Sequence, residues 1–313
     1  IIGQEAGRYT TGSYNTFVGG YAGQGGTTSA PYSSGENNTA LGYQALDAFT
    51  TAGDSVAVGF NALGDLTTGT GNIAIGRDAG ADITTGAYGI YIGHNAGGDN
   101  LLGNMNVFVG FEAGRSAADS VAYSVAIGAY AGKNTAVNTN IAIGYQAAQT
   151  HTTGGKNIAI GYGAMNDTDA GSTSLGSDDN VAIGRDSMGG ASGQSHSSNT
   201  AVGYASLMSI TTGTLNVAIG IQSGESSTTA YRNVYLGSYA GRYNTTGLGN
   251  IFVGYEAGKG ASGVGAAHTY NVGIGYQALE TIRTGTSNVA IGVFAGKNMD
   301  DIKANRFFFY VFR

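Results

Sequence analysis

A short apolar pattern that ends in glycine recurs along the whole chain. Two clear copies are Asn157-Ile158-Ala159-Ile160-Gly161 and Asn216-Val217-Ala218-Ile219-Gly220. Successive side chains of a strand point to opposite faces, so the two aliphatic residues of each copy share one face and the middle residue lies on the other. β-Branched residues at the aliphatic positions favour an extended backbone. The pattern therefore predicts one short strand in every copy.

Alignment on this final glycine, called the key glycine below, divides the chain into seventeen repeats, most of them 17 residues apart. Strands this short are not stable alone, so each must stack on its neighbours. The expected fold is all-β, a parallel β-solenoid of about seventeen rungs. Residues 1–298 form the predicted repeat domain, and residues 299–313 are expected to cap it or to begin a following domain. The key glycines are Gly3, Gly19, Gly42, Gly59, Gly76, Gly93, Gly110, Gly128, Gly144, Gly161, Gly184, Gly203, Gly220, Gly237, Gly254, Gly275 and Gly292.

Both faces of the predicted strand are apolar. The residues one and three positions before the key glycine are aliphatic or Thr, and we expect them to fill the inside of the coil. The middle residue is Ala in ten repeats and aromatic in five, although a sheet face in water would be polar. We therefore predict that this second face packs against other copies of the chain, with three copies around an axis favoured. The predicted inter-chain face comprises Phe17, Ala74, Tyr91, Phe108, Ala142, Ala159, Ala182, Ala218, Tyr235 and Phe252.

Three further features of the repeat predict how the chain turns. Thirteen of the sixteen complete repeats begin the strand with Asn, which tolerates left-handed backbone and can form a ladder of stacked amides. The residue three positions after the key glycine is always Ala or Ser, which indicates a close approach of backbone segments. Turns such as Thr67-Thr68-Gly69 recur, and their glycine is expected to supply a positive φ.

The Asn-Ser/Ile-Val-Ala-Ile-Gly pattern, with a small residue three positions on, resembles the head repeats of trimeric autotransporter adhesins. With its Thr-Thr-Gly linkers, it resembles still more the longer repeats of bacteriophage tail fibres. The resemblance covers residues 1–298 and implies a left-handed β-roll in a trimer, with a receptor-binding surface outside a cell or on a virion. The adhesin head repeat is shorter than the 17-residue period of this chain. The tail fibre is therefore the first choice and the adhesin head the alternative.

The composition of the chain argues against a nucleic-acid partner and against a membrane-spanning helix. The net charge is −6 and only 11% of residues are charged, so no basic patch is available to neutralise the phosphates of a nucleic acid. The sequence contains no run of about 18 apolar residues that would predict a membrane helix and no cysteine. Because it opens within a repeat, as Ile1-Ile2-Gly3, we expect an excerpt of a longer extracellular protein, on a virion or a bacterial surface.

Candidate binding residues are few. Tyr follows the key glycine in six repeats; if these rings face outward they could stack on sugars of a cell-surface receptor, and if they face inward they fill the coil. These are Tyr43, Tyr145, Tyr162, Tyr204, Tyr255 and Tyr276. A loop with four carboxylates could bind Ca²⁺, although a solvated acidic loop is the favoured interpretation; these are Asp167, Asp169, Asp178 and Asp179. Four extended turns, 25–37, 166–179, 188–198 and 260–270, are either recognition loops or neutral decoration.

No residue set in the sequence indicates catalysis or a cofactor. The four histidines, His94, His151, His196 and His268, fall at unrelated places in the repeat and lack metal-ligand spacing. A glycan-cleaving solenoid needs paired carboxylates, but the acidic residues two positions after the key glycine lie at least two rungs apart; these are Glu5, Asp78, Glu112, Asp186 and Glu256. An ice-binding face would need continuous Thr columns, which several repeats interrupt. We therefore expect a non-enzymatic homotrimeric fibre segment that presents a surface to a glycan or protein receptor.

Overall fold

The structure is a computed structural model of the chain. It describes residues 1–26, 32–99, 102–116, 121–134, 140–150, 154–166, 177–190, 195–262, 267–298 and 307–309. The chain forms two compact blocks, the first of residues 1–150 and the second of residues 151–313. Every regular element within the described residues is a three-residue strand, and none of them is a helix.

Each block stacks its strands in parallel, in chain order and in register. Phe17 pairs with Ala40 in the first block, for example, and Ala201 pairs with Ala218 in the second. The predicted all-β parallel solenoid with a period of about 17 residues is confirmed, whereas its left hand and its trimeric state stay predictions. The first block contains β1 (Thr16–Val18), β2 (Thr39–Leu41), β3 (Val56–Val58), β4 (Ile73–Ile75), β5 (Ile90–Ile92), β6 (Val107–Val109), β7 (Val125–Ile127) and β8 (Ile141–Ile143). The second contains β9 (Ile158–Ile160), β10 (Val181–Ile183), β11 (Thr200–Val202), β12 (Val217–Ile219), β13 (Val234–Leu236), β14 (Ile251–Val253), β15 (Val272–Ile274), β16 (Val289–Ile291) and β17 (Phe307–Phe309).

Strand β17 lies outside the repeat pattern but extends the second block. It pairs in parallel with β16, and Phe308 stands opposite Ala290. The side chains of Phe307 and Phe309 are 71% and 67% exposed. A non-repeat strand therefore pairs with the β16 edge, and whether residues 299–313 cap the repeat domain or begin a following domain stays a prediction.

The key glycine is required at the corner that ends each strand. All seventeen have φ between 124° and 143°, a region that L side chains rarely adopt. A Cβ atom on Gly203 would also lie 2.4 Å from the carbonyl oxygen of Gly220 in the next coil. Neighbouring coils thus approach too closely at this corner for any side chain.

The glycine of the Thr-Thr-Gly turn has a different role from the one predicted. Gly69 and Gly213 do not have a positive φ; a Cβ on Gly69 would lie 1.9 Å from the carbonyl oxygen of Gly86 in the next coil. The left-handed residue comes just before the strand-opening Asn and need not be glycine, as at Leu215 with φ of 61°. Close packing, and not backbone conformation, therefore selects glycine at this turn.

The strand face that points inward is the opposite of the predicted one. The middle residue of every repeat strand is buried within the single chain, at most 2% exposed where it carries a side chain, whereas the residues on both sides of it are partly or fully exposed. The prediction of an inter-chain face was therefore wrong for Phe17, Ala74, Tyr91, Phe108, Ala142, Ala159, Ala182, Ala218, Tyr235 and Phe252, all of which line the inside of their own coils.

The small residue and the strand of the following coil approach each other closely. The small residue three positions after the key glycine lies against the strand backbone, so that the Ser223 hydroxyl donates a hydrogen bond to the carbonyl of Tyr235 at 3.0 Å. Ser206 contacts the carbonyl of Ala218 in the same way at 2.9 Å. These contacts confirm the predicted close approach.

Interior volume is shared between the middle residue and the residue four positions after the key glycine. Wherever the middle residue is aromatic, the residue four positions after the key glycine is glycine. A Cβ on Gly258, for example, would lie 2.4 Å from the Phe252 ring. Where the middle residue is Ala, as at Ala201, the residue four positions after the key glycine can be a buried Leu or Met, as at Leu207. The aromatic–glycine pairs are Phe17 with Gly23, Tyr91 with Gly97, Phe108 with Gly114, Tyr235 with Gly241, and Phe252 with Gly258. This size compensation shows that the two positions face each other inside one coil.

Candidate functional site

Two columns of aliphatic side chains cover the outward face of the strands in each block. They consist of the first and third residues of β1–β16 and are called the outer strand columns. Their members are Val, Ile, Leu or Thr, and none is charged. Ile75 in the first block is 42% exposed and Ile219 in the second is 43% exposed. Strands spaced ~4.8 Å apart make each block present an apolar band about 40 Å long.

A second outward feature is the aromatic column that follows the key glycine, called the ring column. All six tyrosines considered as receptor contacts point outward: Tyr43, Tyr145, Tyr162, Tyr204, Tyr255 and Tyr276 are 41% to 54% exposed. Phe60 and Phe111 belong to the same column and are similarly exposed. The structure thus decides between the two orientations that the sequence left open, in favour of the outward one.

Neighbouring rings cover one another's faces. Tyr43 stacks on Phe60 with ring centroids 5.7 Å apart, and Tyr255 stacks on Tyr276 at 5.3 Å. The interplanar angles are 12° and 10°. Stacking on a sugar needs an open ring face, and these pairs offer mainly edges and phenol hydroxyls. At these two pairs, therefore, the rings stack on each other and do not present open platforms.

Cations cover other ring faces of the column. The Arg185 guanidinium lies 4.7 Å from the centroid of the Tyr204 ring, and the Arg77 guanidinium lies 5.8 Å from the centroid of the Phe60 ring. At Tyr255 the neighbouring carboxylate of Glu256 raises the pKa of the phenol. Because these partners come from the same chain, the column is pre-ordered before any ligand binds.

The acidic residues two positions after the key glycine make ion pairs. Glu112 contacts Lys133 at 2.6 Å and Arg115 at 2.9 Å, and Glu256 contacts Lys259 at 2.6 Å. The hydrogen bond from Lys133 holds the pKa of Glu112 below its ordinary value, although burial opposes this shift. A general acid for glycan cleavage needs the opposite shift. Glu112 therefore has the environment of a structural carboxylate.

The described part of the acidic loop forms hydrogen bonds within the protein. Asp178 accepts a hydrogen bond from the Gly155 N–H at 2.7 Å, and its own N–H donates to the Ser197 hydroxyl at 3.2 Å. Asp179 occupies the left-handed corner before Asn180, with φ of 57°. Asp167 and Asp169 lie outside the described residues. In the described portion of the chain, no three His, Cys, Asp or Glu side chains are grouped so as to hold a metal ion.

The sequence interpretation missed a column of carboxylates on the first block. Asp65, Asp82 and Asp99 each lie six positions after a key glycine in three successive coils, and Asp47 precedes them. Burial raises the pKa of Asp82, and repulsion from Asp99 and Asp65 raises it further. Burial likewise raises the pKa of Asp47, with Asp65 adding to the shift. Alignment on the key glycine would have shown this acidic column, because one spacing recurs.

Comparison with known proteins adds no relative. No protein-family model matches the chain, and no curated protein matches its sequence. A search of the described residues for a helix long and apolar enough to cross a membrane found none.

Proposed function

We propose that this chain is a non-enzymatic segment of an extracellular trimeric fibre that presents a binding surface to a cell-surface glycan or protein. A phage tail fibre is the first choice, and the head of a bacterial trimeric adhesin is the alternative. The observation that carries the proposal is the pair of outer strand columns, which leave a long uncharged apolar band on each block. Monomeric proteins rarely expose apolar patches larger than a few hundred Å².

The outer strand columns replace the predicted inter-chain face. Their β-branched side chains stand in register on every strand, so a second copy could bury them without gaps. Burial of each exposed aliphatic side chain contributes on the order of 1 kcal/mol. Summed over the strands of a block, this gain is large enough to hold copies together. The count of three comes from the resemblance to trimeric fibre repeats.

The mass of the native assembly tests the proposed trimer. Sedimentation equilibrium should give three times the 31.5 kDa mass of the chain. Replacing Val217 and Ile219 with Asp places two charges on the outward face of β12 and should shift the equilibrium toward single chains. A stable monomer of the unchanged protein would contradict the proposal. A two-chain mass would contradict the count of three and leave the apolar face as the interface.

The ring column is the proposed receptor contact. Its rigid, outward edges and hydroxyls are suited to contacts with a glycan or a protein surface. Tyr255→Ala together with Tyr276→Ala should lower binding of the labelled protein to its target cells at least tenfold. Tyr14→Ala is the matched control, because Tyr14 is 85% exposed but lies outside the ring column. Equal binding by both variants would remove the ring column from the proposed function.

The remainder of the polypeptide distinguishes the fibre from the adhesin. A C-terminal chaperone or tail-attachment domain in the full-length protein would support the tail fibre, and a membrane-anchor barrel would support the adhesin. Incubation with host-surface glycans should release no new reducing ends. Release that disappears in Glu112→Gln or Glu256→Gln would contradict the non-enzymatic assignment.

A further inference from the structure

One interior slot recurs between the two halves of the coil. In regular coils an aliphatic residue seven positions after the key glycine fills it, as at Leu66, Ile210 and Ile282. Glycine then stands seven positions before the next key glycine, and a Cβ on Gly285 would lie 2.4 Å from Cδ1 of Ile282. The two positions thus compete for one space.

His268 occupies this slot from the opposite side. It stands seven positions before Gly275, and His196 stands at the same distance before Gly203, so the interpretation that the histidines fall at unrelated places was wrong for these two. The corresponding residue seven positions after Gly254 is the small Ala261. An imidazole therefore takes a place that aliphatic side chains take elsewhere.

The site surrounding His268 is apolar and uncharged. Its side chain is 0% exposed, and neither ring nitrogen has a hydrogen-bond partner. The ring meets Phe252 of the preceding coil at 5.8 Å in an edge-to-face arrangement. Burial alone lowers the pKa of His268 to about 4. The neutral imidazole thus behaves as a core residue.

The charged groups of the adjoining coils do not compensate a proton on His268. Glu256 and Glu280 pair with Lys259, and Lys297 pairs with Glu280. Arg283 of the next coil contacts this region through its backbone carbonyl, which accepts the Ala267 N–H at 3.0 Å. The neighbouring Tyr270 is 58% exposed. Desolvation is the only cause of the shift at His268, so no acidic side chain would stabilise a protonated ring in place.

The backbone at His268 connects this slot to the amide ladder. The His268 carbonyl accepts hydrogen bonds from Asn250 Nδ2 at 2.7 Å and from the Leu248 N–H at 3.0 Å. If the backbone at His268 opens to bring the ring into water, the carbonyl loses both of these hydrogen bonds. A change of charge at one side chain would therefore disturb two neighbouring coils.

We propose that the segment 267–271 around His268 is an acid-responsive element, in which protonation of the buried imidazole separates this segment locally from Leu248 and Asn250. The open state exposes the imidazole and lets it take up a proton, whereas the closed state excludes that proton. The closed state is therefore fully favoured above pH 6.5 and loses tenfold in relative population for each pH unit down to about pH 4.

Hydrogen exchange on the native assembly tests this proposal. After correction for the intrinsic exchange rate, protection of the amides of Leu248 and of residues 267–271 should fall by up to about 300-fold between pH 6.5 and pH 4. His268→Phe and His268→Leu should abolish most of this fall, because neither the Phe nor the Leu side chain titrates. His94→Phe is the control, since His94 stacks on Phe111 in the first block and should leave the acid response of the second block unchanged.

The histidine signal in NMR spectra provides an independent readout that does not need a variant. The His268 imidazole should remain neutral at pH 6 in the native protein, and its protonated form should appear together with loss of protection. A ring that titrates at pH 6 or above with its protection intact would overturn the proposal. So would an equal loss of protection in the wild type and in either His268 variant.

Discussion

The two blocks differ in the column of residues that precede the strands, where most repeats have Asn. In the second block Asn occupies this position in every repeat from Asn157 to Asn288, and each amide donates to the Oδ1 of the preceding one at 2.9–3.2 Å. In the first block Ser55, Gly89 and Ser124 interrupt the column. The strands on both sides of each interruption remain paired in register. The amide ladder predicted from the sequence is therefore an addition to the backbone stack and not a condition for it.

Two neighbouring positions of the coil carry charged side chains in different arrangements. The first block stacks Asp65, Asp82 and Asp99 in successive coils, where like charges repel. Side chains five positions after the key glycine make ion pairs in both blocks, as Arg115 does with Glu112 at 2.9 Å in the first block and Arg242 does with Glu225 at 2.6 Å in the second. One coil geometry thus accommodates both a repulsive and an attractive column, because neither column lies in the interior.

Deleting an amide should cost the second block more than the first. Asn216 makes four side-chain hydrogen bonds: it donates to Asn199 and Ala230 and accepts two from Asn233. Asn72 makes two. Asn216→Ala should destabilise its coils by about 3 kcal/mol and Asn72→Ala by about 2 kcal/mol, since the partners stay buried without bonds. Hydrogen exchange in each block measures both values, and a larger loss for Asn72→Ala would contradict the comparison.

Filling the interruption of the Asn column at Ser55 should stabilise the first block. In Ser55→Asn the new amide could accept the Asn72 N–H, which now donates to the Ser55 hydroxyl at 3.3 Å, and could donate to Asn38. The expected gain is about 1 kcal/mol, the net contribution of a buried hydrogen bond. Ser55→Ala is the control and should lose stability. If Ser55→Asn exchanges faster than the wild type, the first block lacks space for a continuous ladder.

Relieving the acidic column should have the smallest effect. The folded-state pKa of Asp82 is raised, so its contribution to stability is favourable at low pH and is lost as pH rises through that pKa. Asp82→Asn should therefore stabilise the first block at pH 7 by less than about 1 kcal/mol, with little effect below pH 4. Salt should reduce the difference. Asp178→Asn, outside this column, should not reproduce the gain, and a pH-independent gain would contradict the electrostatic explanation.

The repeat predicted the fold, but it did not reveal which strand face is inside. Period-two alternation defines two faces without assigning either to the core, and the greater hydrophobicity of Ile over Ala favoured the wrong one. The deciding signal was in the sequence: Phe252 is matched by Gly258, and Ala201 by Leu207. Such compensation in volume arises only between positions that share a space. Stacking of Tyr255 on Tyr276 could not be predicted, because ring angles depend on side-chain packing.

The direct test of the inward face compares two adjacent substitutions in β12. Ala218→Asp should place an unpaired charge inside the coil and destabilise the second block by several kcal/mol. Ile219→Asp should retain the β-sheet circular dichroism of the block while weakening association between copies. Unfolding and sedimentation of the two variants should be measured side by side. The account predicts a loss of stability in Ala218→Asp and a loss of association in Ile219→Asp. An intact block in Ala218→Asp, with an unfolded one in Ile219→Asp, would contradict the account.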